Sequence, residues 1–340
     1  MRERPLPSAP EVFILSGFFQ KSIQKRWTFE TTSGGGKFGV SERSERLGSM
    51  ERSVLQARNF FFDRMLPVRL FYTRCSEVAD WHSHEFTEIA IVLAGRAVYE
   101  TEFSETEIAA GDVLVMPAGG AHRFRDETGI EQFNVLFQFE KLPVPSRDIA
   151  GHPGFSALFR LNSGYCRKMR HYPRFRIAGR AELERVRRLL AFAWRDQEER
   201  RPGYALSVYG AFLLLIPILL ENYRAAAPGR GTPCSPDRLA DCLDFMSRSF
   251  RRPLTTALLA AKAGMAPASF VRHFHAATGC TPREYLIRMR LDEARQLLLK
   301  EDLTVAEVAQ QAGFADSNYF SRLFRRKNAL TPREYRKIHR

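Results

Sequence analysis

Hydrophobic and polar residues alternate in short runs over residues 60–140, and Gly, Pro and Asp separate these runs. Alternation with a period of two is typical of strands, and many short strands at this spacing predict a sandwich or a barrel. The predicted strands are Val68–Thr73, Glu88–Leu93, Ala97–Thr101, Asp112–Met116 and Gln132–Phe139. We therefore predict a β-rich domain over residues 60–150.

The spacing becomes helical over residues 180–224, where apolar residues recur at intervals of three and four, the period of one helix face. They are Leu183, Val186, Leu190 and Ala193 in the first predicted helix, and Leu206, Tyr209, Leu213 and Ile216 in the second. Such a pair can hold two copies of a chain together or pack within one chain, so both interpretations stay open. The apolar run Ala211–Leu220 is far shorter than the roughly 20 residues of a membrane span, so no membrane partner is predicted.

Two regions lack periodicity. Residues 225–236 (AAAPGRGTPCSP) are rich in Ala, Pro and Gly and predict a linker. Val12–Phe19 is apolar between basic flanks, but no small-residue cleavage site follows it, as a secretory signal would require. We expect residues 1–50 to be disordered, or translation to start at Met50.

The last hundred residues contain an internal duplication. The pentapeptide Thr-Pro-Arg-Glu-Tyr stands at 281–285 and again at 331–335, and Ala-Gly with a following apolar residue stands at 263–265 and 312–314. The offset slips from 49 to 50, so the second copy has one extra residue before its second Phe.

Each copy predicts a helix-turn-helix unit, over about residues 255–277 and 304–327. Gly264 and Gly313 stand where the chain must turn sharply, and glycine accepts a positive φ there. Thr304, followed by Glu three residues later, predicts a capping box at a helix start. Two units joined by one helix could present recognition helices to successive major-groove segments, about 10 bp apart.

Charge supports nucleic acid as a partner. The chain carries 52 Lys and Arg against 38 Asp and Glu, and residues 236–340 hold 19 against 11. Basic side chains release counterions when they neutralise phosphates, which favours binding without specifying sequence. A non-specific nucleic-acid protein is therefore a further alternative.

The five cysteines are scattered without a CxxC pair, which is typical of a reducing cytoplasm and argues against a disulfide framework or thiolate zinc site.

The segment from Leu254 to Tyr335 resembles the DNA-binding domain of AraC/XylS-type transcription regulators. The matching pieces are Ala260-x-x-Ala263-Gly264-Met265, Phe274 with Thr278-Gly279, Gly313-Phe314, Asp316-Ser317-Asn318-Tyr319-Phe320 and Thr331-Pro332-Arg333-Glu334-Tyr335. The resemblance implies an AraC-type DNA-binding domain over residues 237–340. Asn328-Ala329 departs from it, because the family usually keeps a Gly near the end of the second recognition helix.

Residues expected at the bases face outward on the two recognition helices. They are Ala268, Ser269, Val271 and Arg272 in the first unit, and Asp316, Asn318, Ser321 and Arg322 in the second. Arg can donate two hydrogen bonds to guanine, and Asn can pair with adenine. The resemblance implies base contacts for Arg272 and Arg322, with a phosphate contact as the alternative, while Asp316 has a helix N-cap as its alternative. The residues expected at phosphates are Arg325, Arg326 and Lys327.

A cluster of metal-ligand types lies in the β-rich domain. His82-x-His84 followed by Glu88 puts alternating side chains on one face of a strand, and His122 follows the turn 117–120. Three imidazoles and one carboxylate can bind Zn, Fe, Mn or Ni, depending on geometry.

These residues also resemble the two motifs of the cupin barrel. The motifs read His82-x-His84-x3-Glu88-x6-Gly95 and Gly111-x5-Pro117-x-Gly119-x2-His122, with Asp126 in place of the usual Asn. The resemblance implies that all four metal-binding positions of metallocupins are present, although regulator cupins often bind a small effector without metal. A divalent transition metal, an effector pocket that includes Trp81, and structural histidines all stay open, and no cofactor is required.

The predicted fold is α+β with two domains: a cupin-like barrel with a helical pair, then an all-α double helix-turn-helix domain. This combination resembles the sugar-responsive branch of the family, and within it the regulators of rhamnose operons. The resemblance implies a cytoplasmic, homodimeric, sequence-specific activator that binds double-stranded DNA at paired half-sites and works with RNA polymerase. Its effector, possibly a sugar, would bind near Trp81, His82, His84, Glu88 and His122.

The alternative is a metal-dependent cupin enzyme, an isomerase or dioxygenase, with an accessory helical domain. That hypothesis explains the four candidate ligands but leaves the basic, duplicated C-terminal third without a purpose. We therefore do not expect an enzyme.

Overall fold

A computed structural model gives the architecture. It describes residues 53–61, 66–74, 81–142, 148–225, 235–300 and 302–339. Residues 1–50 and most of the expected linker (226–234) lie outside the described residues.

One sheet is formed by eight strands in the described part of the chain. They are β1 (Ser53–Leu55), β2 (Val68–Arg74), β3 (His82–His84), β4 (Thr87–Thr101), β5 (Glu105–Ala109), β6 (Asp112–Met116), β7 (His122–Phe137) and β8 (Arg174–Arg176). The hydrogen-bonded order is β1-β3-β7-β4-β6-β8, with β2 also paired to β7 and β5 to β4. The long pair β4 and β7 runs antiparallel and forms the centre of the barrel-like sheet.

The helices lie mostly in the second half of the chain. They are α1 (Phe155–Phe159), α2 (Ser163–Lys168), α3 (Arg180–Glu198), α4 (Tyr204–Ala225), α5 (Pro236–Ser249), α6 (Thr256–Ala263), α7 (Pro267–Thr278), α8 (Pro282–Lys300), α9 (Val305–Gln311), α10 (Ser317–Asn328) and α11 (Pro332–His339). Short 3₁₀ turns occur at Ala57–Asn59 and Phe139–Lys141. The helical pair α3 and α4 and both predicted helix-turn-helix units are present.

The strands differ from the sequence prediction in two places. The predicted strands Glu88–Leu93 and Ala97–Thr101 are one strand, β4, which bends through three register shifts between Val92 and Val98. At the bend Gly95 has φ +75°, and a Cβ there would lie 2.1 Å from the Gly129 carbonyl oxygen. Only glycine lets the two strands approach so closely, so the residue that suggested a strand boundary marks a bulge instead.

Strand β7 also begins at His122, ten residues before the predicted start at Gln132. The intervening residues include the exposed polar side chains of Asp126 and Thr128 and the exposed Gly129, which hide the strand period in the sequence. The added length matters because it brings His122 onto the same strand as Gln132.

The sheet buries both of its faces. Ile89, Ile91 and Phe133 point toward α3 and α4 and belong to the largest core cluster. Ala90 and Val92, one residue out of phase, belong to a second cluster inside the barrel. Successive strand residues point to opposite faces, so a strand covered on both sides reads as a continuous apolar run.

Helix α4 owes its apolar composition to this core. Among the described residues it is the one helix whose length and composition would let it cross a membrane. However, Phe212, Leu215 and Leu219 are at most 1% exposed and pack in the core cluster beneath the sheet. Burial against the sheet therefore explains the helix as part of a core.

The turns of the two helix-turn-helix units differ by one residue, which locates the slip in the repeat. In the first unit Gly264 (φ +66°) follows α6, and Ala266 is the N-cap of α7. In the second unit Gly313 (φ +91°) is followed by two residues before the N-cap Asp316 of α10. The capping box predicted at Thr304 is confirmed at the start of α9.

Candidate functional site

The buried histidine His84 faces a carboxylate inside the barrel. Its Nδ1 lies 2.6 Å from the Phe86 carbonyl oxygen, which can only accept, so Nδ1 carries a proton. The other ring nitrogen, Nε2, lies 3.2 Å from Oε2 of Glu88. If the ring is neutral, two acceptors face each other at that distance, so a proton or another cation must lie between them.

His122 completes a group of three. The ligand atoms of His84, Glu88 and His122 all lie within 4.8 Å of one another, and neither ring nitrogen of the fully buried His122 has a hydrogen-bond partner. Burial, and then the nearby His82 and His84, hold the pKa of His122 well below its usual range, so its ring is neutral. Two histidines and a carboxylate, one histidine donating its other N–H to a backbone carbonyl, fit a divalent transition metal.

The structure departs here from the predicted four-residue set. A bend after β3 interrupts the strand, so the two histidines of the first motif and Glu88 lie on separate strands, β3 and β4. His82 lies outside the group of three. Its ring instead packs on His122, with ring centroids 4.3 Å apart.

Trp81 lies at the edge of this region. It immediately precedes β3 and is partly exposed. The guanidinium of Arg123 stands 5.3 Å from the centre of its ring, and Arg123 in turn pairs with Glu100. The aromatic side chain predicted to line an effector pocket therefore contacts a cation beside the barrel.

Three polar residues that the sequence prediction missed lie inside the barrel. The Tyr99 hydroxyl, Oε1 of Gln132 and Oδ1 of Asn134 are buried without a hydrogen-bond partner. Tyr99 belongs to the interior cluster, with its ring centre 5.9 Å from that of His122. Gln132 and Asn134 pair in register with Val92 and Ala90, which face the interior. Their signal in the sequence is two polar residues at the interior parity of the otherwise apolar last six residues of β7.

In the helical half, fully buried aromatic residues hold the two recognition helices, α7 and α10. Phe270 and Phe274 anchor α7, and Phe320 and Phe324 anchor α10. The predicted contact residues that are exposed are Ala268, Arg272, Asp316, Asn318, Arg322, Arg325, Arg326 and Lys327. Ser269, Val271 and Ser321 are half-buried. The outer face of α10 is therefore strongly basic, whereas that of α7 combines Arg272 with small residues such as Ala268.

Asp316 has a structural role at the start of α10. Its Oδ1 accepts hydrogen bonds from the backbone N–H groups of Asn318 at 2.7 Å and Tyr319 at 3.0 Å. These bonds lower the pKa of the carboxyl group. Of its two predicted roles the structure supports the N-cap, while the Ser321 hydroxyl likewise donates to the Ser317 carbonyl at 2.9 Å.

Comparison with known proteins identifies both halves of the chain. Residues 259–338 match the family model for a helix-turn-helix domain, and residues 75–136 match that for a cupin domain. Over 255 residues the chain is 29% identical to the HTH-type transcriptional activator RhaS of Escherichia fergusonii, covering 75% of this chain and 86% of that protein. The chain belongs to the AraC family of DNA-binding transcription regulators.

A second relative of this AraC-family chain spans a similar range, and a solved DNA-binding domain matches a shorter part of it. The HTH-type transcriptional activator RhaR of Yersinia pseudotuberculosis is 25% identical over 284 residues, covering 83% of this chain and 93% of that protein. The DNA-binding domain of AdpA, solved in complex with a target DNA, is 32% identical and covers 30% of this chain and 93% of that one, with a TM-score of 0.30. A helix-turn-helix domain accounts for the C-terminal third, which the enzyme alternative left unexplained.

Proposed function

We propose that this AraC-family regulator activates transcription when a small polyhydroxylated molecule, a sugar, binds inside its barrel. It acts in the cytoplasm as a homodimer on paired half-sites of double-stranded DNA and contacts RNA polymerase there. The names of the relatives, which are transcriptional activators, support the direction of the response.

The observation that carries the proposal is a group of hydrogen-bond acceptors inside the barrel. The Glu88 carboxylate, the amide oxygens of Gln132 and Asn134, and the unprotonated ring nitrogen of His122 face the interior, and the last three residues have atoms without partners. A buried polar atom without a partner costs roughly 1–3 kcal/mol. A ligand with several hydroxyl donors would satisfy these atoms, whereas an apolar ligand would leave them unpaired.

On the DNA side, the exposed faces of α7 and α10 supply the contacts. Arg272 and Arg322 occupy corresponding positions of the two units and are exposed, which supports one base contact from each helix. All three residues of the run Arg325–Lys327 are exposed on α10, which supports contacts with phosphates. Phosphate contacts position a protein on the duplex, and base contacts specify the sequence.

The dimer would use the outer face of the helical pair. Leu206 is 77% exposed, Leu214 59% and Phe192 65%, and all three lie on α3 and α4, whose opposite faces cover the sheet. Large exposed apolar side chains on both helices of this pair support an interface. Sedimentation of Leu214→Glu should give a monomer where the parent chain is a dimer; an unchanged sedimentation coefficient would contradict this assignment.

A divalent transition metal at His84, Glu88 and His122 is a second candidate occupant, favoured by the convergence of their ligand atoms within 4.8 Å. When bound, it would supply positive charge that neutralises Glu88 and attracts ligand oxygens. Metal analysis of the purified protein tests it: stoichiometric metal that is lost in Glu88→Gln supports the site, and absence of metal after growth in supplemented medium contradicts it.

The deciding experiment is selection of bound genomic fragments by the purified full chain, with and without a panel of sugars that includes L-rhamnose. We expect discrete sites with two short motifs one helical turn apart, and higher occupancy with one sugar. Uniform recovery that collapses with salt would mean that charge alone binds DNA. Gln132→Leu should remove the sugar response. The matched control Gln138→Leu, which makes the same change just after the end of β7, should keep it.

A further inference from the structure

Between β7 and β8 the chain leaves the sheet and contacts the DNA-binding half; we call residues 148–172 of this stretch the connecting segment. It contains α1 and α2. Its helices pack chiefly on α5 and α7 of the DNA-binding half.

At its barrel end, the connecting segment holds the turn that leads to His122. Nη1 of Arg167, on α2, donates to the Gly119 carbonyl at 3.0 Å. The Gly119 N–H in turn donates to the carbonyl of His84 at 2.7 Å. Gly119 has φ +75°, and a Cβ there would lie 2.9 Å from Arg167 Nη1, so an alanine would strain the turn and push the guanidinium aside.

At its other end, the connecting segment enters the core of the first unit. Tyr165, two residues from Arg167, is 4% exposed and belongs to the same core cluster as Phe270 and Phe274. Its hydroxyl lies 3.3 Å from Nδ1 of His273 on α7. The backbone N–H of Asn162 donates to the carbonyl of Ala277, also on α7, at 2.9 Å.

A buried carboxylate fixes the segment to the DNA-binding half at a second point. Asp244 of α5 is fully buried and accepts hydrogen bonds from the backbone N–H groups of Gly154 and Ser156, each at 3.0 Å. These groups stand at the start of α1, so a residue of the DNA-binding half caps a helix of the connecting segment. An open cleft of about 460 Å³ lies beside this contact, lined by Pro153 of the connecting segment and by residues of α5 and α6.

We propose that the connecting segment carries the state of the barrel site to the first recognition helix, through His84, Gly119, Arg167, Tyr165 and His273 in that order. A ligand that moves the turn at Gly119 moves α2, and α2 moves α7 because Tyr165 lies in the core beneath it. Contiguous packed and hydrogen-bonded groups of this kind carry coupling between sites. The proposal rests on the proposed function, since a ligand in the barrel is its input.

A test that needs no ligand uses the close contact at Gly119. Gly119→Ala displaces Arg167, so amide hydrogen exchange of α7 in the full chain should accelerate about fivefold or more, the lower end of typical coupling. Exchange in α10 serves as the internal reference and should stay unchanged. In an Arg167→Met background, Gly119→Ala should have no further effect on α7, whereas a Lys168→Met background should preserve it. Equal changes in α7 and α10, or an effect that persists without Arg167, would overturn the proposal.

A second arm separates this proposal from the proposed function. Operator affinity is measured with and without L-rhamnose and the other panel sugars in the parent chain, Tyr165→Phe and Arg167→Met. If a sugar strengthens binding in the parent, both variants should lose most of that factor while keeping the sugar-free affinity. Full retention of the response would overturn the coupling. If no sugar acts but the exchange experiment shows coupling confined to α7, the effector assignment fails and the coupling stands.

Discussion

The two helix-turn-helix units share one internal construction. In each, two phenylalanines four residues apart are buried on the recognition helix, with ring centroids 5.4 Å apart in the first unit and 5.5 Å in the second. A tyrosine of the following helix meets the second phenylalanine edge-on in both units, at 5.5 Å and 5.4 Å. The equivalent side chains are Phe270, Phe274 and Tyr285, and Phe320, Phe324 and Tyr335.

The units differ in charge and in what surrounds them. Helix α7 carries one arginine and two histidines, whereas α10 carries three arginines and one lysine. The core of the first unit includes Tyr165 from the connecting segment, while the core cluster of the second contains only residues from Ile287 onward. We infer a division of labour, in which the second unit supplies electrostatic affinity and the first receives the signal from the barrel.

The largest expected effect concerns the basic run of the second unit. Replacing Arg325, Arg326 and Lys327 with Gln should reduce the slope of log affinity against log salt by roughly 2.7, because each phosphate contact contributes about 0.9. Operator binding titrated over a range of salt concentrations measures this slope.

The control for that prediction removes three charges from the barrel half. Arg185, Arg188 and Arg200 are exposed on or beside α3, and their replacement with Gln should leave the slope nearly unchanged. If both triple variants lower the slope equally, net charge rather than the face of α10 determines DNA affinity.

Single arginines at equivalent positions test whether both units read bases. Arg272→Ala and Arg322→Ala should each weaken operator binding by about 1–3 kcal/mol and remove the preference at one base pair. Selection from operators randomised at each position would identify that base pair. A uniform loss of affinity over all sequences would show a phosphate contact instead. If only Arg322→Ala removes a base preference, the first unit positions the protein on DNA without Arg272 reading a base.

The junction beside the first unit should respond to pH. Burial raises the pKa of Asp244 to about 6, against an ordinary value of 3.8. Because the folded-state pKa is raised, this group's contribution to stability is complete below about pH 3.8 and is lost as pH rises through 6. Between pH 5 and pH 7 the loss should be about 1.4 kcal/mol, one pKa unit's equivalent.

Urea unfolding at several pH values, compared with Asp244→Asn, measures that contribution. The amide cannot ionise, so the difference in unfolding free energy between the two proteins should change across this pH window. A pH-independent difference would show that the carboxyl group titrates normally despite its burial.

The repeated unit could be predicted from sequence because its signals are local. A capping box such as that at Thr304, a glycine after a helix and a phenylalanine every four residues each act within a few positions. The extra residue of the second unit was visible as a slip of offset, and the structure assigns it to the turn. The N-cap role of Asp316 follows from the same local chemistry, yet the sequence alone could not separate it from a base contact.

The barrel site could be predicted only in part, because it depends on contacts between distant strands. The cupin-like spacing identified His84, Glu88 and His122, but it could not show that the bend after β3 separates His82 from them. Gln132 and Asn134 were missed because polar residues that alternate with apolar ones indicate a solvent-facing side of a strand, whereas here both faces are buried and the polar side faces the barrel interior. The contact of Arg167 with Gly119 joins residues 48 positions apart and leaves no pattern in the sequence.

The smallest expected effect comes from the ends of the two recognition helices, which form a matched pair. Gly279 ends α7 with φ +74° and ψ 4°, and Ala329 ends α10 with φ +60° and ψ 1°. A Cβ at Gly279 would meet no atom within 4 Å, so only the backbone conformation distinguishes the two residues. A left-handed conformation costs an L-residue about 1–2 kcal/mol, and the greater freedom of glycine in the unfolded chain offsets about 0.4–1 kcal/mol of this. Ala329→Gly should therefore stabilise the domain by about 0.5–1 kcal/mol, and Gly279→Ala should destabilise it by the same amount, both measured by urea unfolding. If Gly279→Ala lowers the free energy of unfolding by much more than Ala329→Gly raises it, contacts other than the local backbone also hold the end of α7. The hydrogen bond from the Asn162 N–H of the connecting segment to the Ala277 carbonyl is such a contact.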